Sequence, residues 1–518
     1  MRFALEACLP FFRLWTKEDL QEATKDHTRA TQAKWPLLAV IFLMWRWALI
    51  NRKTTFERVR IEAWPVLRKV MEFENIQLPE LPVTAQAFTQ ARQKVGMKPL
   101  QHLHQTANDK MRREFDDMLC YKTLRLWAVD GSSLNLPSRK ELDEAFGRPS
   151  STPGAHVAYP QAFFVTLELI QLGWIYDYRL DRHDASELSM TFELTQKLGK
   201  GDLLLGDRLF FDSKWFLQLD QRDVKFLFRV ASNRVKCLTR ESQEKVDVLH
   251  QKSTIVDCEV DLKVDTDHHG NARHILRCRY VEIQRPNQET LYFMTNLSEE
   301  FADAEEIAAL YWRRWGIEIE FRIFKGDNHL PIVLSRKEHT IRQEILLRVL
   351  AHNSVRYVQA EACRKEYADF SITTAAEEFE SINTPVAKEE IQQERIAAIN
   401  NDDNDSKAEQ TQLENDKWKP RHLAENRNIL PTDLRIGPAV ALILGNILSL
   451  LLCPTLHPSH LYDQLLTEVL SYKILVKPGR SYPRRGRKYR KKKSKGNLKA
   501  QYQRRKQRHA KIGAAPAT

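Results

Sequence analysis

In the segment "YWRRWGIEIEFRIFK" (311–325), Tyr311, Arg314, Glu318 and Lys325 are separated by three, four and seven positions. On a helix turning about 100° per residue they share a sector about 60° wide, with Arg322 close beside it. Leu310, Ile317, Phe321 and Phe324 form the adjacent apolar stripe, and Glu320 faces the other way. A charged row bordering a core is costly unless its members are paired. An i, i+4 ion pair between Arg314 and Glu318 accounts for two of them. It leaves Tyr311 and Lys325 in line without a reason. A carboxylate among phosphate-seeking groups suits metal-assisted phosphoryl chemistry. Two cations about 4 Å apart then require further carboxylates to offset their charge. Asp130, after "LRLWAV", and Asp207, after "LLLG", are acids at the ends of apolar runs. Strand ends lie at the rim of a sheet, where sites commonly form. Taken singly, each also reads as an ordinary turn residue.

The elements that must hold these residues follow from the change of period along the chain. Residues 1–110 carry apolar positions at helical spacing, and "VTAQAFTQARQKVG" (83–96) begins with the cap Thr84 and ends at Gly96. Its Gln, Arg and Lys suit either a DNA surface or a solvated face. From 124 the pattern changes to strands: "LRLWAVDGSSLNLPS", then two within "HVAYPQAFFVTLELIQLGWIYDYRL" (156–180). "SELSMTFELTQKL" (186–198) reads as a helix capped by Ser186, and "GDLLLGDRLFFDSKWFLQL" as a short strand, an acid and a helix. Strands followed by helices imply an α/β domain with a partly parallel sheet. Residues 222–300 read as an inserted antiparallel module with polar turns. Helices resume at 302. The stretch 383–417 is charged and nearly without aromatics, so it reads as a mobile excursion.

The expected organisation is a helical N-terminal domain (1–110) and an α/β domain (111–370, with its insertion at about 222–300). A charged excursion (371–430), C-terminal helices (431–470) and a basic disordered tail (471–518) follow. The net charge of +12 is uneven: 18 Lys and Arg and no acid lie between Lys473 and Lys511, and the rest of the chain sums to −6. A tail of this kind suits a polyanion, here nucleic acid. The seven cysteines are scattered and form no CxxC pair, which fits a reducing compartment. Two apolar runs, 36–50 and 437–454, read as core helices: Arg46 interrupts the first, and Asn446 and Ser449 lie in the second. No export signal is evident, and no membrane partner is expected.

Tyr311, Arg314, Glu318 and Lys325 reproduce the Tyr-x2-Arg-x3-Glu-x6-Lys signature of bacterial insertion-sequence transposases of the DDE class, in their cut-and-paste group. "VDGSSLNLP" resembles the segment around that family's first Asp, "GDRLFFDS" that around its second, and "TAQAFTQARQKVG" its N-terminal helical motif. The resemblance runs over roughly 80–360. It implies a ribonuclease-H-like α/β core with a β insertion before the Glu, flanked by helical N- and C-terminal regions. It further implies that Asp130, Asp207 and Glu318 hold two Mg²⁺ ions, for which Mn²⁺ substitutes. Tyr311, Arg314, Lys325 and Arg322 would grip double-stranded DNA at terminal inverted repeats and target. A homodimer on DNA and a cytoplasmic, nucleoid-associated location are implied as well. Relatives that cut through a hairpin use an insertion-domain Trp, and this chain has none between Trp215 and Trp312. Tyr292 and Phe293 occupy that part of the insertion. A non-transposing nuclease of the same fold would keep the acids without needing the row. A catalytically dead DNA-binding descendant would not need the acids.

Overall fold

The structure is a computed structural model. It describes residues 10–25, 36–50, 56–73, 77–314 apart from short breaks, 317–318, 333–366 and parts of 419–476. Arg322, Lys325, the 383–417 stretch and the basic run beyond 476 lie outside the described residues, as does most of 437–454.

Among the described residues, six helices open the chain: α1 (Pro10–Leu14), α2 (Lys17–Thr24), α3 (Leu37–Ile50), α4 (Phe56–Phe73), α5 (Ala85–Val95) and α6 (Lys98–Leu119). The apolar run at 36–50 is the 14-residue helix α3, buried among its neighbours. No described helix is long and apolar enough to cross a membrane. Thr84 caps α5 by accepting from the Ala87 N–H at 3.2 Å, and Gly96 ends it at φ +69°. Arg92 on this helix belongs to neither a DNA surface nor a wet face. It is 3% exposed and donates to Gln343 Oε1, Ser335 Oγ and the Thr340 carbonyl.

A mixed, mostly antiparallel sheet follows. Its main strands are β1 (Leu124–Asn135), β2 (Gln161–Leu169), β3 (Trp174–Arg182), β4 (Asp202–Gly206), β5 (Lys225–Arg229), β6 (Glu244–His250), β7 (Ser253–Thr266), β8 (Ala272–Gln284) and β9 (Leu291–Thr295). They lie in the order β6-β7-β8-β9-β5-β4-β1-β2-β3. Among the described residues, only β1–β4 and β4–β5 pair in parallel. The first strand after 222, β5, is a parallel strand of the central sheet and not part of an antiparallel insertion. The strands after it are antiparallel and continue the sheet by pairing β9 with the other edge of β5.

Helices cover both faces: α7 (Lys140–Phe146), α8 (Glu187–Thr195), α9 (Ser213–Gln221), α10 (Ala304–Arg313), α11 (Glu338–Glu366) and α12 (Pro458–Ser471). Side chains alternate along β1 as the pleat requires. Trp127 and Val129 enter the core beneath α8 and α9, while Leu126, Ala128 and Leu134 enter the opposite core with Leu310, Tyr311 and Ile317. The long helix α11 is tied to the start of β3. The Asn353 side chain accepts from the Ile175 N–H at 3.1 Å and donates to the Ile175 carbonyl at 2.8 Å. A buried Glu344–Arg348 pair at 2.6 Å lies on the same helix.

Candidate active site

The level of the two aspartates is set by backbone register. Strand β4 runs parallel to β1, with Leu126 opposite Leu203 and Ala128 opposite Leu205. Two residues beyond that last rung lie Asp130 and Asp207, so parallel pairing brings both to the end of the β1–β4 ladder. Only Asp207 ends its strand: the turn expected after Asp130 does not form, because β1 runs on to Asn135, paired with β2. β4 ends there because Asp207 caps a single 3-10 turn (Arg208–Phe210), accepting from the Arg208 N–H at 2.6 Å. Phe210 anchors the turn in the core. Asp130 accepts from the Gly131 N–H at 2.9 Å. Gly206 is required just before the second acid: a Cβ there would sit 1.9 Å from Cε1 of the buried Phe228 ring.

Glu318 arrives from the face on which Asp130 projects. Helix α10 begins with a capping box, in which the Asp303 side chain accepts from the Glu306 N–H and Glu306 accepts from the Asp303 N–H. Glu306 also accepts from the Tyr121 hydroxyl at 3.2 Å and from Lys122 Nζ at 3.3 Å, which anchors α10 beside the entry to β1. The helix is continuous only to Arg313, although Ile317 and Glu318 are again helical. Arg314, 3% exposed, donates from Nε to the Tyr311 hydroxyl at 3.2 Å and from Nη2 to Glu318 Oε1 at 2.7 Å. Three members of the row are therefore joined. Arg314 is buried between its neighbours, in the pairing an i, i+4 reading anticipates.

The acids feel one another. Burial raises the Asp130 carboxyl to about 6, with Glu318 and Asp207 adding to the rise; the Gly131 N–H and Arg314 oppose it. Burial works to lower the Arg314 pKa, but Tyr311, Glu318 and Asp207 outweigh it and leave the value raised. A fourth acid shares the rim. Burial, then Asp130 and Asp207, push the Glu187 carboxyl up to about 7. Glu187 is the first residue of α8, whose cap Ser186 accepts from the Ser189 N–H at 3.2 Å. An acid in a helix's first turn normally complements the macrodipole, so nothing in the local sequence marks it out.

The donor chemistry fits a hard divalent cation: every candidate ligand is a carboxylate oxygen, and the acids are close enough to perturb one another. Among the described residues no three His, Cys, Asp or Glu side chains are drawn together tightly enough to hold an ion as they stand. Phe293 is fully buried against the Tyr311 ring at 5.1 Å, and Tyr292 is half-buried opposite Glu282. Phe293 therefore serves the core.

Residues 123–354 match the family described as Transposase DDE domain. Over 139 residues the chain is 29% identical to "Putative transposase InsZ" of Escherichia coli (strain K12), covering 26% of this chain and 46% of that protein. Over 231 residues it is 21% identical to "Probable transposase for insertion sequence element IS5377" of Geobacillus stearothermophilus, covering 45% and 56%. The chain thus spans about half the length of the curated relatives it matches. A cryo-EM structure of a piggyBac transposase synaptic complex with hairpin DNA aligns at 11% identity over 69% of this chain and 76% of that one, with a TM-score of 0.35. Asp130, Asp207 and Glu318 all fall within the matched region.

Proposed function

We propose that the chain is a DNA transposase that binds the ends of its insertion sequence and catalyses strand cleavage and strand transfer on a ribonuclease-H-like core. The observation that carries this reading is the convergence of Asp130, Asp207 and Glu318 from two parallel strands and a third element. The strand order β3-β2-β1-β4-β5, antiparallel on one side of β1 and parallel on the other, supports the core assignment.

Asp130, Asp207 and Glu318 would hold Mg²⁺. When bound, the ions supply an activated water, then an activated 3′ hydroxyl, and charge stabilisation at the phosphate. The chain's own contribution is to place the acids. Arg314 fixes the Glu318 rotamer and screens it from Asp130 and Asp207, while Tyr311 fixes Arg314. Lys325 and Arg322 would contact phosphates near the scissile bond, as would Tyr311 and Arg314 once DNA is present. Double-stranded DNA, at terminal repeats and target, is the substrate. The active unit on DNA would be a homodimer in the bacterial cytoplasm. Residues 1–110 and the basic tail would supply further DNA affinity.

The test is Mg²⁺-dependent cleavage of DNA carrying the inverted repeats that flank the gene. Asp130→Asn, Asp207→Asn and Glu318→Gln should each abolish cleavage and leave DNA binding largely intact. Wild-type cleavage by any of the three would overturn the assignment of that residue. Nicking without strand transfer by the unchanged protein would favour the non-transposing nuclease.

A further inference from the structure

The Glu187 carboxylate lies directly over Gly131, the residue after Asp130. A Cβ at Gly131 would meet Glu187 Oε1 at 2.3 Å and Phe163 Cζ at 2.8 Å. Only a glycine lets a carboxylate rest on the strand at that point. Asp130 and Gly131 project to opposite faces, so Glu187 approaches the rim from beneath α8 while Glu318 approaches from the α10 side. Past Ala128 the β1–β4 ladder has ended while β1 stays paired with β2, so the two faces meet in the gap that opens on the β4 side of β1.

The surroundings of Glu187 are unusual for a structural acid. Among the described residues it has no hydrogen-bond donor and no cationic partner, and its two electrostatic neighbours are Asp130 and Asp207. By contrast Glu193, on the same helix, pairs with Arg179 at 3.0 Å. A half-buried carboxylate beside two others is unfavourable until a positive charge joins them.

We propose that Glu187 is a fourth carboxylate donor to the divalent-cation site, reaching the ion directly or through a bound water, and that Gly131 is the cradle that admits it. This rests on the reading of Asp130 and Asp207 as cation ligands. It adds a ligand from the opposite face of the sheet, and it explains why a glycine must follow Asp130.

The experiment is Mn²⁺ binding to the full chain without DNA, followed by electron paramagnetic resonance and calorimetry. Glu187→Gln, Gly131→Ala, Asp130→Asn and the control Glu193→Gln are compared with the unchanged protein. Glu187→Gln should weaken Mn²⁺ binding about 10- to 100-fold, with a thermal midpoint in chelator no lower than that of the unchanged protein. Gly131→Ala should match it, because the new methyl displaces the carboxylate; if that variant does not fold, Glu187→Gln decides alone. Glu193→Gln should bind normally. Unchanged affinity in Glu187→Gln, with loss in Asp130→Asn, would overturn the inference and leave the wider reading standing. Unchanged affinity in Asp130→Asn, or no saturable binding by the unchanged protein, would overturn both.

Discussion

Asp130 and Arg314 show how the rim trades stability for readiness. A carboxyl held near 6 is bound to protons more tightly in the folded chain than in the unfolded one. Its ionised form at neutral pH therefore destabilises the metal-free protein, by on the order of 2 kcal/mol. Asp130→Asn should raise the thermal midpoint measured in chelator at pH 7.5, and the gain should vanish near pH 4, where the wild-type carboxyl is also neutral. A lower midpoint for Asp130→Asn would show that the charge is compensated in the resting fold. Arg314 acts in the opposite sense. With 3% exposure and bonds to both Tyr311 and Glu318, it is the counter-ion of the cluster. Lys cannot make both contacts in that fork geometry. Arg314→Lys should cost about 2–4 kcal/mol in denaturant titration and reduce cleavage. It should change general DNA affinity little. Gly206→Ala should also damage the site without touching an acid. Its methyl must displace Phe228, at roughly 1–3 kcal/mol of overpacking, and Asp207 moves with the strand end.

At the scale of elements, α11 ties down the start of β3, two strands from Asp130. Asn353 satisfies both backbone groups of Ile175 at the first turn of β3. Asn353→Ala would remove the partner of the Ile175 N–H and leave its carbonyl only His104 Nε2 at 3.4 Å, at a cost of about 1–3 kcal/mol. The preceding residue, His352, donates from Nε2 to the Gly173 carbonyl at 2.8 Å. Burial, with Arg356 adding to it, lowers the His352 pKa from its ordinary value near 6.5 to about 3. Below about pH 6.5 the unfolded chain therefore takes up a proton that the folded chain refuses. Stability is fully present above that pH and is lost as pH falls towards 3. Thermal unfolding between pH 7 and 5 should show a smaller drop for His352→Gln than for wild type. Equal drops would mean that α11 opens enough to admit the proton.

For the whole molecule, charge is divided between a body that sums to −6 and an arm with 18 positive residues. Such an arm releases counter-ions when it meets DNA, so binding falls steeply with salt. Truncation after Tyr472 should flatten the slope of log affinity against log salt while leaving the metal site unchanged. An unaltered slope would show that the arm stays off the phosphates.

The helical start, the apolar strand runs before Asp130 and Asp207, the caps Thr84 and Ser186 and the Arg314–Glu318 spacing were all legible in the sequence. Each depends on residues a few positions apart, where periodicity and capping chemistry act directly. The antiparallel stretch after 222 was equally legible as strands, but not its union with the central sheet, since β9 meets β5 across some sixty residues. The fate of single charges was not legible either. Arg92 looks like any polar residue on an amphipathic helix, yet its guanidinium is buried against residues some 250 positions away. Glu187 looks like a first-turn acid, and only the passage of α8 over Gly131 sets it beside Asp130 and Asp207. Local pattern specifies which elements form. Which charges share one low-dielectric rim is a property of long-range packing, and the tertiary structure alone decides it.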